Sequence, residues 1–270
     1  MRAAARRIAR TLGFFLSRVS RRLDSFGRTV AVASLTKREL DSLSVIEWEE
    51  FGTGGPVIGP ETFAWEREFF GSQIRSGDSV LVVGAGSGRD ALPLLTAGHR
   101  VTALDITPRA LEILRDRAAR SGFEVPLIVG SIAEATLPPA AFDVVLFSWF
   151  SFSYLRTAAD RRAALERSVA SLKPGGRILL SFPPADANIT AARAPRGGML
   201  ANVLGGTTTE KGDHYSVSGS ASRPNVFYAH FFAEGDVERE AAECGLVAAF
   251  TARPTHGVCL MTLVQRVPRP

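Results

Sequence analysis

The stretch that decides the fold reads S-V-L-V-V-G-A-G-S-G-R-D and covers residues 79–90. Residues 80–83 form an uninterrupted apolar run, which is typical of a parallel strand buried on both faces. Glycines follow at alternate positions, at Gly84, Gly86 and Gly88. Because glycine has no Cβ, the chain can turn sharply there and a ligand can approach the main chain. The stretch therefore predicts a strand, a ligand-binding turn and a helix whose first N–H groups are free.

The segments around this turn alternate between strand and helix patterns. Further strands are predicted at 100–104, 126–129, 142–147 and 177–182, and helices at 90–97, 108–121 and 158–172. A helix at 234–244 and two closing strands at 246–251 and 258–264 complete the pattern. Such alternation predicts an α/β protein with a doubly wound sheet. Residues 183–225, rich in Gly, Ala, Thr, Ser and Pro, are expected to form a long and functional loop.

The spacing of the glycines distinguishes between classes of ligand. Dinucleotide-binding loops follow G-x-G-x-x-G, whereas here the third glycine comes one residue earlier and Arg89 takes its place. The G-x-G-x-G pattern after a strand resembles the first motif of class I S-adenosylmethionine-dependent methyltransferases. A plain strand-to-helix turn would also explain three glycines, so the interpretation depends on the residues that follow.

The end of the second predicted strand carries an acid, Asp105, which comes 21 residues after Gly84. A carboxylate at this place can accept hydrogen bonds from ribose hydroxyls, and the alternative is a helix cap or a surface acid. The resemblance implies that Asp105 binds the ribose of the cofactor and that Ile106 lies against its adenine. It also implies that Ile132 lies against the adenine. Many relatives have Asp at the position of Ser131, and the resemblance implies that Ser131 accepts the hydrogen bond from the adenine amino group.

The fourth predicted strand runs into S-W-F, and the resemblance places Ser148, Trp149 and Phe150 at the boundary between cofactor and substrate. Aromatic rings can also meet a positive sulfur, although a core position is the alternative for each ring. The resemblance covers about residues 80–182. It implies a seven-stranded, mostly parallel, Rossmann-like sheet and S-adenosylmethionine as the methyl donor. The cofactor would then contact the whole turn: Gly84, Ala85, Gly86, Ser87 and Gly88.

The chemical class of the methyl acceptor is restricted only by motifs that the chain lacks. An Asn/Asp-Pro-Pro-Tyr/Phe motif does not follow the fourth strand, and neither Cys244 nor Cys259 follows a proline as a nucleophile for cytosine would. No His/Asp/Glu spacing indicates a metal. We therefore expect methylation of an O or N atom of a small molecule, with no metal and no nucleic-acid partner.

Candidate acceptor-side residues come from the remaining polar and aromatic positions. His214 and His230 are candidate bases, with a surface or hydrogen-bonded histidine as the alternative. Trp48, Phe51, Tyr154 and Tyr215 are candidate substrate contacts. Three other functions stay open at this point: an NAD-type oxidoreductase, a non-catalytic cofactor-binding or membrane-associated module, and an aminopropyl transferase.

The positive charge of the chain is concentrated at its N-terminus. Residues 1–30 contain eight Arg and one acid, a net charge of +7, which leaves −2 of the total of +5 for the other residues. Residues 6–30 are predicted to form an amphipathic helix with an arginine face. Such a helix can pack on its own domain or on a second subunit, bind anionic lipid at an interface, or act as a targeting peptide.

These patterns predict three parts of the chain. Residues 1–34 would form the basic amphipathic helix, 35–78 a helical cap, and 79–267 a methyltransferase domain whose insert at 183–228 faces the substrate. No apolar run approaches the roughly 20 residues that span a bilayer. We therefore expect a cytoplasmic protein, with peripheral attachment to a membrane surface or self-association through the basic helix as further possibilities.

Overall fold

The structure is a computed structural model that describes residues 27, 30–54, 62–185, 203–204, 206–220 and 223–266. By contacts the chain divides into two compact units: residues 1–43 with 190–228, and residues 44–189 with 229–270. The predicted helix at 6–30 lies outside the described residues, apart from residues 27 and 30. Among the described residues, no helix has the length and apolarity that a bilayer crossing requires.

The second unit is built on a seven-stranded sheet in the order β3-β2-β1-β4-β5-β9-β8. The central pairs are parallel, whereas β9 runs antiparallel to both β5 and β8. This order confirms the predicted mostly parallel, doubly wound sheet. The strands are β1 (Ser79–Val83), β2 (Arg100–Asp105), β3 (Leu127–Val129), β4 (Phe142–Phe147), β5 (Leu172–Phe182), β8 (Leu246–Thr255) and β9 (Val258–Gln265).

The α-helices whose two ends both lie among the described residues are α1 (Lys37–Gly54), α2 (Ala64–Gln73), α3 (Ala91–Thr96), α4 (Pro108–Arg120), α5 (Ala158–Ser171) and α6 (Asp236–Glu243). A capping box with the pattern Thr-x-x-Glu opens α1. The Thr36 amide donates to the Glu39 carboxylate at 2.8 Å, and the Glu39 amide donates to Thr36 Oγ1 at 3.3 Å. Proline occupies the first turn of α4. The N–H groups of a first turn have no partner within the helix, so the N–H that proline lacks costs no hydrogen bond there.

All five residues of β1 are buried, which is what the apolar run predicts. Leu81 and Val83 belong to one hydrophobic cluster, and Val80 and Val82 belong to another. Because successive side chains of a strand point to opposite faces, each pair fills the core on its own side of the sheet. The strand that leads into the glycine turn is therefore held from both faces.

The expected long loop differs from the structure, because residues 183–225 contain regular structure. Strands β6 (Asp213–Ser220) and β7 (Arg223–His230) form a separate two-stranded sheet. Val226 and Tyr228 are buried on either side of the half-buried Phe227, although Ala229 and His230 at the end of β7 are buried as well. This period of two is short and lies among Ser, Gly and Asn residues, which concealed it in the sequence.

An ion pair joins α5 to α6 in the second unit. The Arg161 guanidinium donates to both Glu240 carboxylate oxygens at 2.8–3.0 Å, and its side chain is 2% exposed. The guanidinium carbon also lies 5.6 Å from the centre of the Phe232 ring. Removal of one partner would leave the other charge buried and unpaired, which is the costly change in such pairs.

We expect Arg161→Met to lower the free energy of unfolding by about 3 kcal/mol, because Glu240 would keep its charge without a partner. Arg162 and Glu243 form the neighbouring pair between the same helices, with side chains 48% and 54% exposed. Arg162→Met is therefore the matched control and should change the stability by less than about 0.5 kcal/mol. Urea unfolding measures both variants, and equal losses would contradict a role for burial.

Candidate functional site

The three glycines of the turn after β1 all have positive φ, at 72° for Gly84, 51° for Gly86 and 102° for Gly88. A Cβ at Gly84 would lie 2.9 Å from Ser151 Cβ, and one at Gly88 would lie 2.6 Å from Leu114 Cδ1. At Gly86, by contrast, no atom of the described residues lies within 4 Å of that position. Packing therefore requires two of the glycines, whereas the third faces space that a ligand can enter.

Hydrogen bonds attach this turn to the end of β2. The amides of Gly84 and Ala85 donate to the Leu104 carbonyl at 2.8 and 3.1 Å. The Gly86 amide donates to Asp105 Oδ2 at 2.8 Å, and Thr107 donates to Oδ1 from its amide at 2.8 Å and its hydroxyl at 2.5 Å. These donors use three of the roughly four acceptor positions of a carboxylate. One acceptor position is left for a ribose hydroxyl, whereas the sequence suggested that Asp105 could accept bonds from both ribose hydroxyls.

The other predicted adenine-side residues follow β2 and β3. Ile106 and Ser131 are half-buried, and the Ser131 hydroxyl accepts from the Ala133 amide at 3.3 Å. Ile132 is 2% exposed and packs in a core cluster, so its side chain has almost no free surface. Ile106 and Ser131 can be reached by a ligand at this edge of the sheet, whereas Ile132 packs in the core.

The chain leaves β4 through a strained turn. Trp149 and Phe150 have φ values of 42° and 67°, a left-handed conformation that costs a non-glycine residue about 1 kcal/mol or more. The Phe150 amide donates to Ser181 Oγ on β5 at 3.1 Å, and a single 3₁₀ turn follows at Ser151–Tyr154. Strain of this kind persists where the surroundings hold it, and it concentrates at binding sites. The turn lies at the same sheet edge as the glycine turn.

Three charged side chains beside the glycine turn form a group that we call the buried charge cluster: Glu66 of α2, Arg89 and Asp90. Arg89 donates to both Glu66 oxygens at 2.6 Å, and Glu66 is 0% exposed. Arg89 Nη2 also lies 3.1 Å from Asp90 Oδ1, an ion pair without hydrogen-bond geometry. Ser148 at the end of β4 donates to Asp90 Oδ2 at 2.7 Å. Sequence reasoning missed this cluster, although an acid in the aromatic segment F-A-W-E-R-E-F-F was a signal.

The cluster contains one cation and two carboxylates, so it holds one uncompensated negative charge when both acids are ionised. Burial raises the pKa of Asp90 to about 6, against the opposing effects of the Arg89 charge and the Ser148 hydroxyl. Glu66 also acts in the raising direction through its charge. The folded protein thus keeps a carboxylate ionised at neutral pH at a cost in stability.

We expect Asp90→Asn to stabilise the ligand-free protein at pH 7.5 by about 1–3 kcal/mol, at 1.36 kcal/mol for each unit between the folded and unfolded pKa. Because the folded pKa is the higher one, the wild type loses stability as pH rises from about 4 to about 6. The advantage of the variant should therefore disappear near pH 4. Urea unfolding at pH 4.5 and 7.5 measures it.

The control for this comparison is Asp116→Asn, since the Asp116 side chain on α4 is 69% exposed. It should change the stability by less than about 0.5 kcal/mol at both pH values. A loss of stability for Asp90→Asn at pH 7.5 would contradict the argument, because it would mean that the charged form is favoured by its surroundings.

Two of the predicted substrate residues lie together in the second unit. The ring centres of Trp48 on α1 and Tyr154 are 4.7 Å apart. Burial, and then the charge of Glu47, raise the pKa of the Tyr154 hydroxyl above its ordinary value. Phe51 belongs to α1, but its side chain lies outside what the structure describes. The pair of rings therefore forms an aromatic surface beside the 3₁₀ turn that follows β4.

The remaining predicted residues are placed as follows. Tyr215 is 5% exposed in a core cluster of the first unit, where its ring centre lies 5.0 Å from that of Tyr228. This placement argues against the predicted substrate contact, because its ring has almost no free surface. His214 lies half-buried on β6, and His230 ends β7 with 3% exposure and an edge-on contact to Phe232. A base role for either histidine stays a prediction.

A doubly wound sheet with a glycine turn after β1 and an acid after β2 defines a nucleotide-cofactor-binding protein. The crevice between β1 and β4, where the strand order reverses, is the place where such sheets bind their ligands. The glycine turn, Ser148 and the buried charge cluster all lie at this crevice.

Comparison with known proteins relates part of the chain to methyltransferases. Residues 80–176 match a family model described as a methyltransferase domain. The chain is 34% identical over 105 residues to the malonyl-[acyl-carrier protein] O-methyltransferase of Serratia marcescens, covering 39% of this chain and 38% of that one. It is 32% identical over 126 residues to the ubiquinone biosynthesis O-methyltransferase of Bordetella bronchiseptica, covering 46% and 50%. The alignments thus span half or less of these relatives.

Among solved structures, the fold is similar to that of the 1,6-didemethyltoxoflavin-N1-methyltransferase of Burkholderia thailandensis, crystallised with its substrate and S-adenosylhomocysteine. The TM-score is 0.58 at 19% identity, with 84% of this chain and 88% of that chain covered. Residues 80–176 therefore match a methyltransferase domain, and the fold is similar to that of S-adenosylmethionine-dependent methyltransferases. S-adenosylmethionine is therefore the cofactor that the matched domain and the similar structures indicate for this site.

Proposed function

We propose that the chain transfers the methyl group of S-adenosylmethionine to an O or N atom of a small molecule. The observation that carries the proposal is the glycine turn, in which Gly86 borders open space while its amide is held by Asp105. This arrangement lies at the strand-order reversal of a seven-stranded sheet. The relatives named above act on oxygen or nitrogen of acceptors other than nucleic acids, which supports the class of acceptor.

The chain offers a surface for each part of the cofactor. The main chain at Gly86 and the remaining acceptor position of Asp105 would hold the ribose, with Ile106 and Ser131 on the adenine side. Ser148, Trp149 and Phe150 would border the reacting centre. When bound, the cofactor supplies a methyl group on a positively charged sulfur, which a nucleophile can take in line.

The work of the protein is then to place an acceptor atom on the far side of that methyl group. Orientation of this kind supplies a large share of the acceleration in transfers between two bound molecules. The left-handed turn at Trp149 and Phe150 fixes two rings at the crevice, where they would exclude water. We infer that the Trp48–Tyr154 pair contacts the acceptor, since flat aromatic surfaces bind apolar ring systems well.

Whether a side-chain base takes part depends on the acceptor. A hydroxyl benefits from a group that removes its proton, and His214 and His230 are the proposed bases. An amine only has to be deprotonated before transfer. For an amine acceptor, therefore, positioning alone accounts for the proposed reaction.

We expect Gly86→Ala to weaken the binding of S-adenosylhomocysteine at least tenfold, because the new Cβ would enter the space that the ligand occupies. Gly122→Ala is the matched control: Gly122 also has positive φ, at 78°, and no described atom lies within 4 Å of its Cβ position. Both variants should lose about 1 kcal/mol of stability from the left-handed conformation. Only Gly86→Ala should lose affinity in isothermal titration calorimetry.

Titration of the same protein with NADH separates this proposal from an oxidoreductase. We expect heat from S-adenosylhomocysteine and none from NADH. Binding of NADH without binding of S-adenosylhomocysteine would overturn the proposed function. Binding of S-adenosylhomocysteine by a protein that methylates no acceptor in a broad screen would instead favour a non-catalytic cofactor-binding module.

We further propose that the protein is cytoplasmic and that its basic N-terminal segment attaches it to anionic membrane surfaces. The support is the charge of +7 in residues 1–30. The full chain should sediment with phosphatidylglycerol vesicles at low salt and not with phosphatidylcholine vesicles. Replacement of Arg6, Arg7 and Arg10 by Gln should reduce this binding several-fold. Equal sedimentation of wild type and variant would contradict attachment through these arginines, and self-association would then be the remaining proposal for the segment.

A further inference from the structure

The buried charge cluster has a carboxylate oxygen that lacks a donor. Asp90 is 4% exposed, and its Oδ2 accepts from Ser148. Its Oδ1 accepts no hydrogen bond from any residue that the structure describes. A buried carboxylate oxygen is normally hydrogen-bonded, because its removal from water is otherwise uncompensated. Such an atom at a ligand crevice indicates that the missing donor belongs to the ligand.

The charge of the cluster indicates a cationic donor. Arg89 is already engaged with both oxygens of Glu66, and its contact with Asp90 is an ion pair without hydrogen-bond geometry. The cluster therefore has one positive charge for two carboxylates, and Asp90 is the carboxylate whose charge is not compensated. Strand β1 contributes only apolar side chains next to the turn, apart from Ser79 at its start. Of the two acids in the cluster, Asp90 is thus the one with an oxygen that accepts no hydrogen bond from the described residues.

The position of Asp90 decides which part of the cofactor it meets. Its hydrogen bond to Ser148 spans the gap between the glycine turn after β1 and the end of β4. Asp105 occupies the opposite side of the turn, toward β2. A nucleoside whose ribose lies at Asp105 would therefore extend its amino-acid end toward Asp90.

We propose that Asp90 binds the α-ammonium group of the methionyl part of the cofactor, with Ser148 and Arg89 as the residues that position its carboxylate. This inference rests on the proposed function. The sulfonium is the other cation of the cofactor, but it has no N–H to donate. An ammonium group carries three donors, and it supplies both the hydrogen bond that Oδ1 lacks and the charge that the cluster lacks.

The test uses three adenosine ligands and the variant Asp90→Asn in isothermal titration calorimetry. S-adenosylhomocysteine and S-adenosylmethionine both carry the ammonium group, whereas 5′-methylthioadenosine has neither that group nor the carboxylate. We expect the variant to bind the first two at least tenfold more weakly and 5′-methylthioadenosine within twofold of wild type. The unchanged third ligand also shows that the variant is folded around the nucleoside.

Acid pH provides a second measurement on the unaltered protein. The charged groups that act on Asp90 among the described residues are Arg89 and Glu66. With a pKa of about 6 for Asp90, affinity for S-adenosylhomocysteine should fall about tenfold from pH 7 to pH 5. Affinity for 5′-methylthioadenosine should stay constant over this range, and Asp90→Asn should remove the pH dependence.

The outcomes separate this inference from the proposed function. If wild type binds no adenosine ligand, the proposed function fails. If wild type binds S-adenosylhomocysteine and Asp90→Asn binds it equally well, only the role of Asp90 is overturned. A loss confined to S-adenosylmethionine would also overturn it, because that result would place Asp90 at the sulfonium. An equal loss for 5′-methylthioadenosine would overturn it as well, by placing Asp90 at the nucleoside.

Discussion

The hydrogen bond from the Gly86 amide to the Asp105 carboxylate is the contact on which the site depends. It joins the turn after β1 to the end of β2, and the pairing of Val83 with Leu104 brings the two strand ends to one edge of the sheet. Thr107 holds the second carboxylate oxygen, so the orientation of Asp105 is set from both sides. The Gly86 amide is thereby hydrogen-bonded to Asp105, and the turn still leaves space at Gly86 for a ligand.

Electrostatics add a second constraint at the same edge. The Arg89–Glu66 pair attaches α2 to the residues that follow the glycine turn, and Asp90 connects those residues to the end of β4 through Ser148. The cluster is stable enough to form because its one cation makes two short bonds. It remains short of positive charge, as a site prepared for a cationic ligand would be. The proposed contact with an ammonium group would account for this buried acid.

Much of the fold follows from local patterns. The apolar run at 80–83 predicted a strand buried on both faces, and the strand-helix alternation predicted the doubly wound sheet. The capping box of Thr36 and Glu39 at the start of α1 is a local pattern of the same kind. These predictions succeeded because each depends on neighbouring residues in the sequence, whose spacing alone sets capping and burial.

Other features could not be predicted in this way. β6 and β7 pair within a segment whose composition is typical of a loop, and only their mutual pairing and the burial of Val226 and Tyr228 make them strands. Tyr215 was predicted to contact the substrate, yet it packs in a core. An aromatic residue in a polar segment has the same local pattern in either role, so the packing partners decide.

The sequence by itself determined the class of cofactor, because the glycine spacing and an acid at the end of the next strand are local requirements of a main chain that approaches a nucleotide. Only the tertiary structure showed that Glu66 and Asp90 also lie beside the glycine turn. Glu66 and Arg89 are 23 residues apart, and Asp90 and Ser148 are 58 apart. No periodicity links such positions. They meet because α2 packs beside the glycine turn and because β4 lies next to β1, and burial then turns ordinary surface residue types into a charged site.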